Sequence, residues 1–383
     1  MLASQRALFD IPRDVCYLNA AAWSPLPIKE QEAARAAVGR KGQPWKLPAT
    51  IITDVNERAR AAAARLVNAE PGDIGLISSV AYGVATAAKN VTIPAGSRVL
   101  TIEDDHSSPV LEWVERAPRQ GFSVETVKRP ADGDWTAAVL AAIERRDAAP
   151  LAMISISSVH WSDGGAVDLA KVSAAAKRQG SMLLIDATHH AGIMALDVKA
   201  LDPDFVIFPT YKWLLGPYGR AFIYVAKRHQ DGVPLEQTSL GRRGVKAEVS
   251  PYFSDLRYLP DARRYDMGER DHFISMEMAA IGIETILEWG QPAIEARLAM
   301  LTGLIAKGLA GSGIVIPDTR VRAPHVLCIG FESGMPPGLI ERLAAAQVYV
   351  APRLGRIRIS PHVYNDEEDV ERFVATLKAA VAI

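Results

Sequence analysis

"FVIFPTYKWLLGPYGRAFIYV", residues 205–225, sets a lysine between two β-branched and aromatic runs. The runs read as strands and Gly216-Pro217-Tyr218-Gly219 as the turn between them, so the stretch predicts an antiparallel hairpin. Lys212 follows the first run, where a solvated ammonium is unwelcome. Either its head snorkels out to water or it is held inward for chemistry. Upstream the pattern is different. The apolar runs "IGLIS" (74–78), "RVLTIE" (98–103), "SVETVK" (123–128), "LAMISIS" (151–157) and "MLLIDAT" (182–188) are mostly separated by one amphipathic segment each. "DWTAAVLAAIERR" and "DLAKVSAAAKRQG" are examples, the second closing on a glycine as helices prefer. Strand, helix, strand at this spacing implies parallel strands with right-handed crossovers. The expected fold class is therefore α/β: a mostly parallel seven-stranded sheet covered on both faces.

Beyond about residue 270 the rhythm changes. Two long helical stretches lead into "VLCIGFE", "QVYVAP", "RIRIS" and a terminal helix, which together read as a smaller α+β domain. The expected organisation is a large domain over 17–270 and a small one over 271–383, with residues 1–16 packing against the latter. A chain of 383 residues, 49% hydrophobic, can bury cores of that size. With 43 basic and 44 acidic residues it has no overall field to attract nucleic acid or an anionic membrane, so a small-molecule partner is expected. No apolar run approaches the length of a membrane span, and the N-terminus lacks a signal-type apolar core. The expectation is a soluble cytoplasmic protein. Cys16 and Cys328 are too far apart, and too few, for a disulfide framework or a thiolate metal site.

Ligands of open α/β sheets bind at the C-terminal ends of the strands. Four such ends carry polar residues that strand propensity would not choose. "IGLIS" is followed by Ser79-Val80-Ala81-Tyr82, opening a helix whose free N–H groups suit a phosphate, although a plain serine cap reads equally well. "RVLTIE" is followed by Asp104-Asp105-His106, "MLLI" by Asp186 with His189 and His190, and "FVIFP" by Lys212. A strand-end carboxylate 26 residues before a strand-end lysine is what pyridoxal phosphate needs: an amine to hold it as a Schiff base and an acid to keep its ring nitrogen protonated.

"IDATHHAG" followed by "DFVIFPTYKWLLGPYG" resembles the class V aminotransferase family of fold-type-I pyridoxal phosphate enzymes, which includes cysteine desulfurases, cystine lyases, kynureninases and isopenicillin N epimerase-like proteins. The resemblance runs from "YLNAAAWSPLP" to "RIRISPHVYNDEEDVERF". It implies that Lys212 carries the cofactor, Asp186 partners the ring nitrogen, His106 stacks on the ring and His189 stands near the phenolic oxygen. Ala81, Tyr82 and Thr210 fall at the phosphate cradle, and Trp161 at the cofactor's oxygen edge. Arg358 matches the arginine that grips the substrate α-carboxylate, and Asn19 and Ala20 the segment lying over the substrate. A homodimer is implied as well. The sequence departs from the family in three places: Tyr82 replaces a threonine, Tyr211 the histidine before the lysine, and Gly268-Glu269 a Gly-Thr that reaches the neighbouring subunit, so that either Arg264 or Arg270 supplies the charge or the cross-subunit contact is absent.

The implied activity acts on an amino acid through an external aldimine and loss of the Cα proton, with transamination favoured and C–S β-lysis or epimerisation as alternatives. "VAPRLGRIRIS" has no cysteine and little room for a mobile loop, so a persulfide-forming desulfurase is not expected. Cys328 reads as an inert thiol in an apolar strand. Two distant alternatives are a metal-dependent hydrolase built on Asp104, Asp105, His106, His189 and His190, which leaves Lys212 without a task, and a non-catalytic binding protein of the same fold.

Overall fold

A computed structural model describes residues 2–381. The strands are β1 (Cys16–Tyr17), β2 (Ile74–Ile77), β3 (Arg98–Ile102), β4 (Ser123–Val127), β5 (Leu151–Ser157), β6 (Met182–Asp186), β7 (Phe205–Pro209), β8 (Ala221–Val225), β9 (Arg242–Val245), β10 (Phe253–Tyr258), β11 (Ile314–Val315), β12 (Leu327–Phe331), β13 (Val348–Tyr349), β14 (Ala351–Arg353) and β15 (Arg356–Ile359). The helices are α1 (Ile28–Lys41), α2 (Ile51–Leu66), α3 (Val80–Asn90), α4 (Ser107–Gln120), α5 (Trp135–Ile143), α6 (Leu169–Gln179), α7 (Val198–Leu201), α8 (Phe273–Trp289), α9 (Gln291–Leu309), α10 (Leu339–Ala345) and α11 (Glu367–Val381).

Apolar runs buried on both faces make the central sheet, in the order β2-β8-β7-β6-β5-β3-β4. Every residue of β2, β3, β7 and β8 is buried, whereas in the edge strand β4 only Val127 is. Five strands run parallel, and β8 is antiparallel to both β7 and β2. Residues 205–225 thus form the expected hairpin. The chain steps outward from β3 to β4, then crosses back to β5, which places the reversal of strand order between β3 and β5. A crevice opens at such a switch point.

The crossover helices begin and end where local chemistry dictates. Asp168 caps α6 by accepting from Lys171 N at 3.1 Å, and Gly180 closes it at φ +66°, a conformation open to glycine without strain.

A second sheet has the order β11-β12-β15-β14; nearby, α11 packs on α9 and α10, and α10 and α11 both pack on β13. The first residues of the chain join this unit. Gln5 N donates to Val363 O at 2.8 Å, Arg6 pairs with Asp369 at 2.9 Å, and β1 lies parallel to β13. α8 packs on α1 and α2 instead, and its Gly282 lies against the Lys212 loop: a Cβ there would stand 2.4 Å from Leu214 O. The helix that begins at 273 therefore packs on α1, α2 and the Lys212 loop. Among the described residues, no helix is long and apolar enough to cross a membrane.

Candidate active site

The loop between β7 and β8 is fixed by its own backbone. Gly216 N donates to Thr210 O at 2.9 Å, and the Thr210 hydroxyl lies 2.6 Å from Pro217 O and 3.1 Å from Arg220 O. Lys212 is thereby turned inward, with only 7% of its surface exposed. Of the two fates open to it, snorkelling to water is not the one adopted. Burial, seconded by the Arg358 charge and opposed by Asp186, lowers its pKa from 10.5 to about 7.

Hydrogen bonds identify the form in which this amine is held. The Trp213 indole can only donate, and it does so to His189 Nδ1 at 3.0 Å. Burial keeps His189 neutral, so its one ring proton sits on Nε2, 3.3 Å from Lys212 Nζ. An N–H aimed at Nζ is satisfied by an amine lone pair and not by an ammonium. His189 thus favours the nucleophilic form of Lys212. Behind it, His325 Nε2 reaches His189 O at 2.7 Å and His362 Nε2 reaches Trp213 O at 3.2 Å, fixing both partners.

Asp186 ends β6 and is 3% exposed. Its Oδ1 accepts from the Thr188 amide and hydroxyl, while Oδ2 has no partner among the described residues and the carboxylate lines the cavity. His106 follows β3 and Trp161 follows β5, so the switch point is flanked by two rings, edge to face at 6.3 Å. The Trp161 indole donates to Asp104 O at 2.6 Å, which fixes its plane. At one end of the cavity α3 begins. Ser79 caps it through Tyr82 N at 3.1 Å, and the chain from Ser78 to Ala81 lines the wall, with first-turn N–H groups that have no partner inside the helix. Tyr211 and Tyr218 also line this cavity, their ring centroids 3.9 Å apart and the planes tilted by 33°. Arg358, on β15, is 2% exposed; one amino group donates to Trp161 O at 2.9 Å and Nε is buried without a partner.

Lys212, Asp186, His106, His189, Trp161, Ala81 and Arg358 thus border two adjoining cavities. Four other expected residues do not. Thr210 spends its hydroxyl proton on its own hairpin. The Tyr82 phenol turns off the cavity toward Glu236, so the phenols of the cradle wall are Tyr211 and Tyr218. Asn19 and Ala20 pair with Ser360 of the second sheet, and Ala21 and Ala22 face the cavity instead. Arg264 and Arg270 are also occupied within the chain, Arg264 by the carbonyls of Leu259 and Gly232 and Arg270 by Asp266. Among the wall residues not singled out from the sequence are Tyr218, within the turn "GPYG", and Arg353, within "VAPRLGRIRIS".

Cys328 is 3% exposed, and burial pushes its thiol up to about 12, far from thiolate chemistry at neutral pH. Among the described residues, no three His, Cys, Asp or Glu side chains are grouped to hold a metal.

The family model described as "Aminotransferase class-V" matches residues 30–373. The chain belongs to the class-V aminotransferase family. Similar members include the aminotransferase YcbU of Bacillus subtilis (strain 168), 25% identical with 88% of this chain and 86% of that protein covered, and isopenicillin N epimerase of Streptomyces clavuligerus, 26% identical with 84% and 83% covered. Among solved structures, the apo cysteine desulfurase of Thermococcus onnurineus NA1 matches with a TM-score of 0.86 over 100% of this chain and 99% of that one, at 19% identity. The cystine C-S lyase C-DES, in complex with its product cysteine persulfide, matches with a TM-score of 0.84 at 18% identity, 96% and 98% covered. As a member of the class-V aminotransferase family the chain is a pyridoxal phosphate enzyme. Its residues fit that cofactor: a near-neutral amine, a carboxylate with a free oxygen, a helix N-terminus for the phosphate and two rings beside the switch point.

Proposed function

We propose that this class-V enzyme removes the Cα proton of an amino acid and, as its favoured outcome, transfers the amino group. The observation that carries the reading is the His189 N–H directed at Lys212 Nζ, which keeps a buried lysine ready to act as a base near neutral pH. Lys212 would hold the cofactor, Asp186 its ring nitrogen, the start of α3 at Ser79 to Ala81 its phosphate, and His106 and Trp161 its faces and edge. Bound there, pyridoxal phosphate supplies an electron sink for the charge left at Cα.

The protein's own groups do the rest. Arg358, its Nε open, grips the α-carboxylate and turns the Cα–H bond toward Lys212. Lys212 takes that proton and returns it, while the Tyr211 and Tyr218 rings narrow the access of water. Neither Cys16 nor Cys328 borders the two cavities and burial raises both thiols, which speaks against an enzyme-bound persulfide and leaves C–S lysis as the alternative to amino-group transfer.

The test is direct. Purified protein should be yellow, and Lys212→Ala should abolish the colour. Offered aspartate or alanine with a second 2-oxo acid, the holoenzyme should form a new amino acid. Pyruvate and sulfide released from cysteine, without amino transfer, would replace this reading with β-elimination. A homodimer is part of the proposal, to be checked by sedimentation.

A further inference from the structure

The β14–β15 hairpin carries three arginines on one face. Its register sets Ala351 opposite Arg358 and Arg353 opposite Arg356, and side chains alternate along a strand, so Arg353, Arg356 and Arg358 point the same way. Like charges facing each other across a ladder repel. Other arginines of the chain answer such crowding with carboxylates, as Arg228 does with Asp202 and Asp204. Here no carboxylate of the described residues comes within 4.0 Å of any of the three. Arg356 turns to a separate cleft beside Arg129 and Arg322, whereas Arg353 and Arg358 line the outer cavity together with Lys212 and Trp161.

The two guanidiniums in that cavity are under-used. Among the described residues, Arg358 has one acceptor, the Trp161 carbonyl, and Arg353 has only the adjacent Pro352 carbonyl at 2.7 Å. Trp161 braces both, its ring 5.9 Å from Arg353 Cζ. The one carboxylate in the lining is Asp105, and both of its oxygens are engaged, by Ser157 N at 2.9 Å and His106 N at 2.7 Å. One guanidinium accounts for an α-carboxylate. The second has nothing to hold.

We propose that Arg353 is a second anion anchor at the mouth of the site, and that the substrate carries an acidic group besides its α-carboxylate, in the simplest case an amino dicarboxylic acid. This rests on Arg358 taking the α-carboxylate, as argued above. Desolvation lowers the pKa of both guanidiniums, and the charge of Arg353 adds to the lowering at Arg358. Each would be relieved by an anion.

The test uses the holoenzyme and ligands that lack an amino group, so no turnover is needed. Calorimetric titration compares succinate and glutarate with propionate and butyrate. The dicarboxylates should bind at least about tenfold more tightly, the lower end of what one charge-assisted hydrogen bond contributes. Arg353→Gln should bring that ratio close to one, Arg353→Lys should keep part of it, and Arg358→Gln should weaken both classes. Equal binding of the two classes to the parent enzyme would overturn the proposal, as would a preference that survives Arg353→Gln. A holoenzyme without amino transfer would refute the proposed reaction but leave the dicarboxylate ratio readable.

Discussion

At the residue scale the site turns on the protonation of one amine. With Lys212 near a pKa of about 7, the rate at which apo protein captures added pyridoxal phosphate should climb with a midpoint near pH 7 and level off roughly one to two units above it, not near the 10.5 of a free lysine. Stopped-flow absorbance across a pH series reads this directly, and a plateau reached only above pH 9 would contradict it. Removing the His189 donor should raise the midpoint by roughly 0.5–1 unit, the worth of one net hydrogen bond. Asp186→Asn should leave the protein yellow but slow turnover by ~10²-fold or more, because an amide in that place cannot hold a charged ring nitrogen. Retained turnover would remove Asp186 from the proposed role. These residues were legible because each stands at a strand end, where an isolated polar group contradicts its apolar surroundings. Tyr82, Thr210, Asn19 and Ala20 were not, since side-chain direction depends on one step of helical rotation or strand alternation. Motif position does not carry that step: the Tyr82 phenol turns toward Glu236, and the bridge from Asn19 to Ser360 leaves Ala21 and Ala22 facing the cavity.

Among the elements, the hairpin of β7 and β8 and the parallel order of the other strands were readable from apolar run length and turn chemistry. The place of α8 was not. Its sequence matches the long helices that follow, and only packing shows it backing the Lys212 loop through Gly282. That contact makes a prediction about two helical glycines. Gly282→Ala would drive a Cβ to 2.4 Å from Leu214 O, displacing the loop, and should lower stability by about 1–3 kcal/mol and reduce cofactor occupancy. Gly303, inside α9, has nothing within 4 Å of its would-be Cβ, so Gly303→Ala should stabilise by about 0.5–1 kcal/mol through helix propensity alone. Urea melts with absorbance-based cofactor titration distinguish the two, and equal effects would mean that α8 does not press on the active-site loop.

For the whole molecule, near-balanced charge leaves pH dependence to a few buried groups, and Glu30 is the most exposed to this argument. It sits in α1 with no measurable exposure, neither carboxylate oxygen has a partner among the described residues, and burial raises its pKa from 4.5 to about 9. The folded chain therefore keeps a proton that the unfolded chain gives up, so Glu30 favours folding least where the unfolded carboxylate is ionised. Below about pH 4.5 both states are protonated and the group is neutral to stability. From there toward pH 9 each unit of pH costs ~1.4 kcal/mol, which makes roughly 3 kcal/mol near pH 7 an upper figure. Glu30→Gln keeps the shape without the titration. Its stability advantage over the parent should be absent at pH 4.5, grow as pH rises and flatten above 9. Paired denaturant curves across that range measure the difference, and a pH-independent offset would show that Glu30 gains a partner or water in solution. The effect is separable from the active site, because Glu30 lines neither cavity beside Lys212 and the colour of the holoenzyme should not change with the substitution.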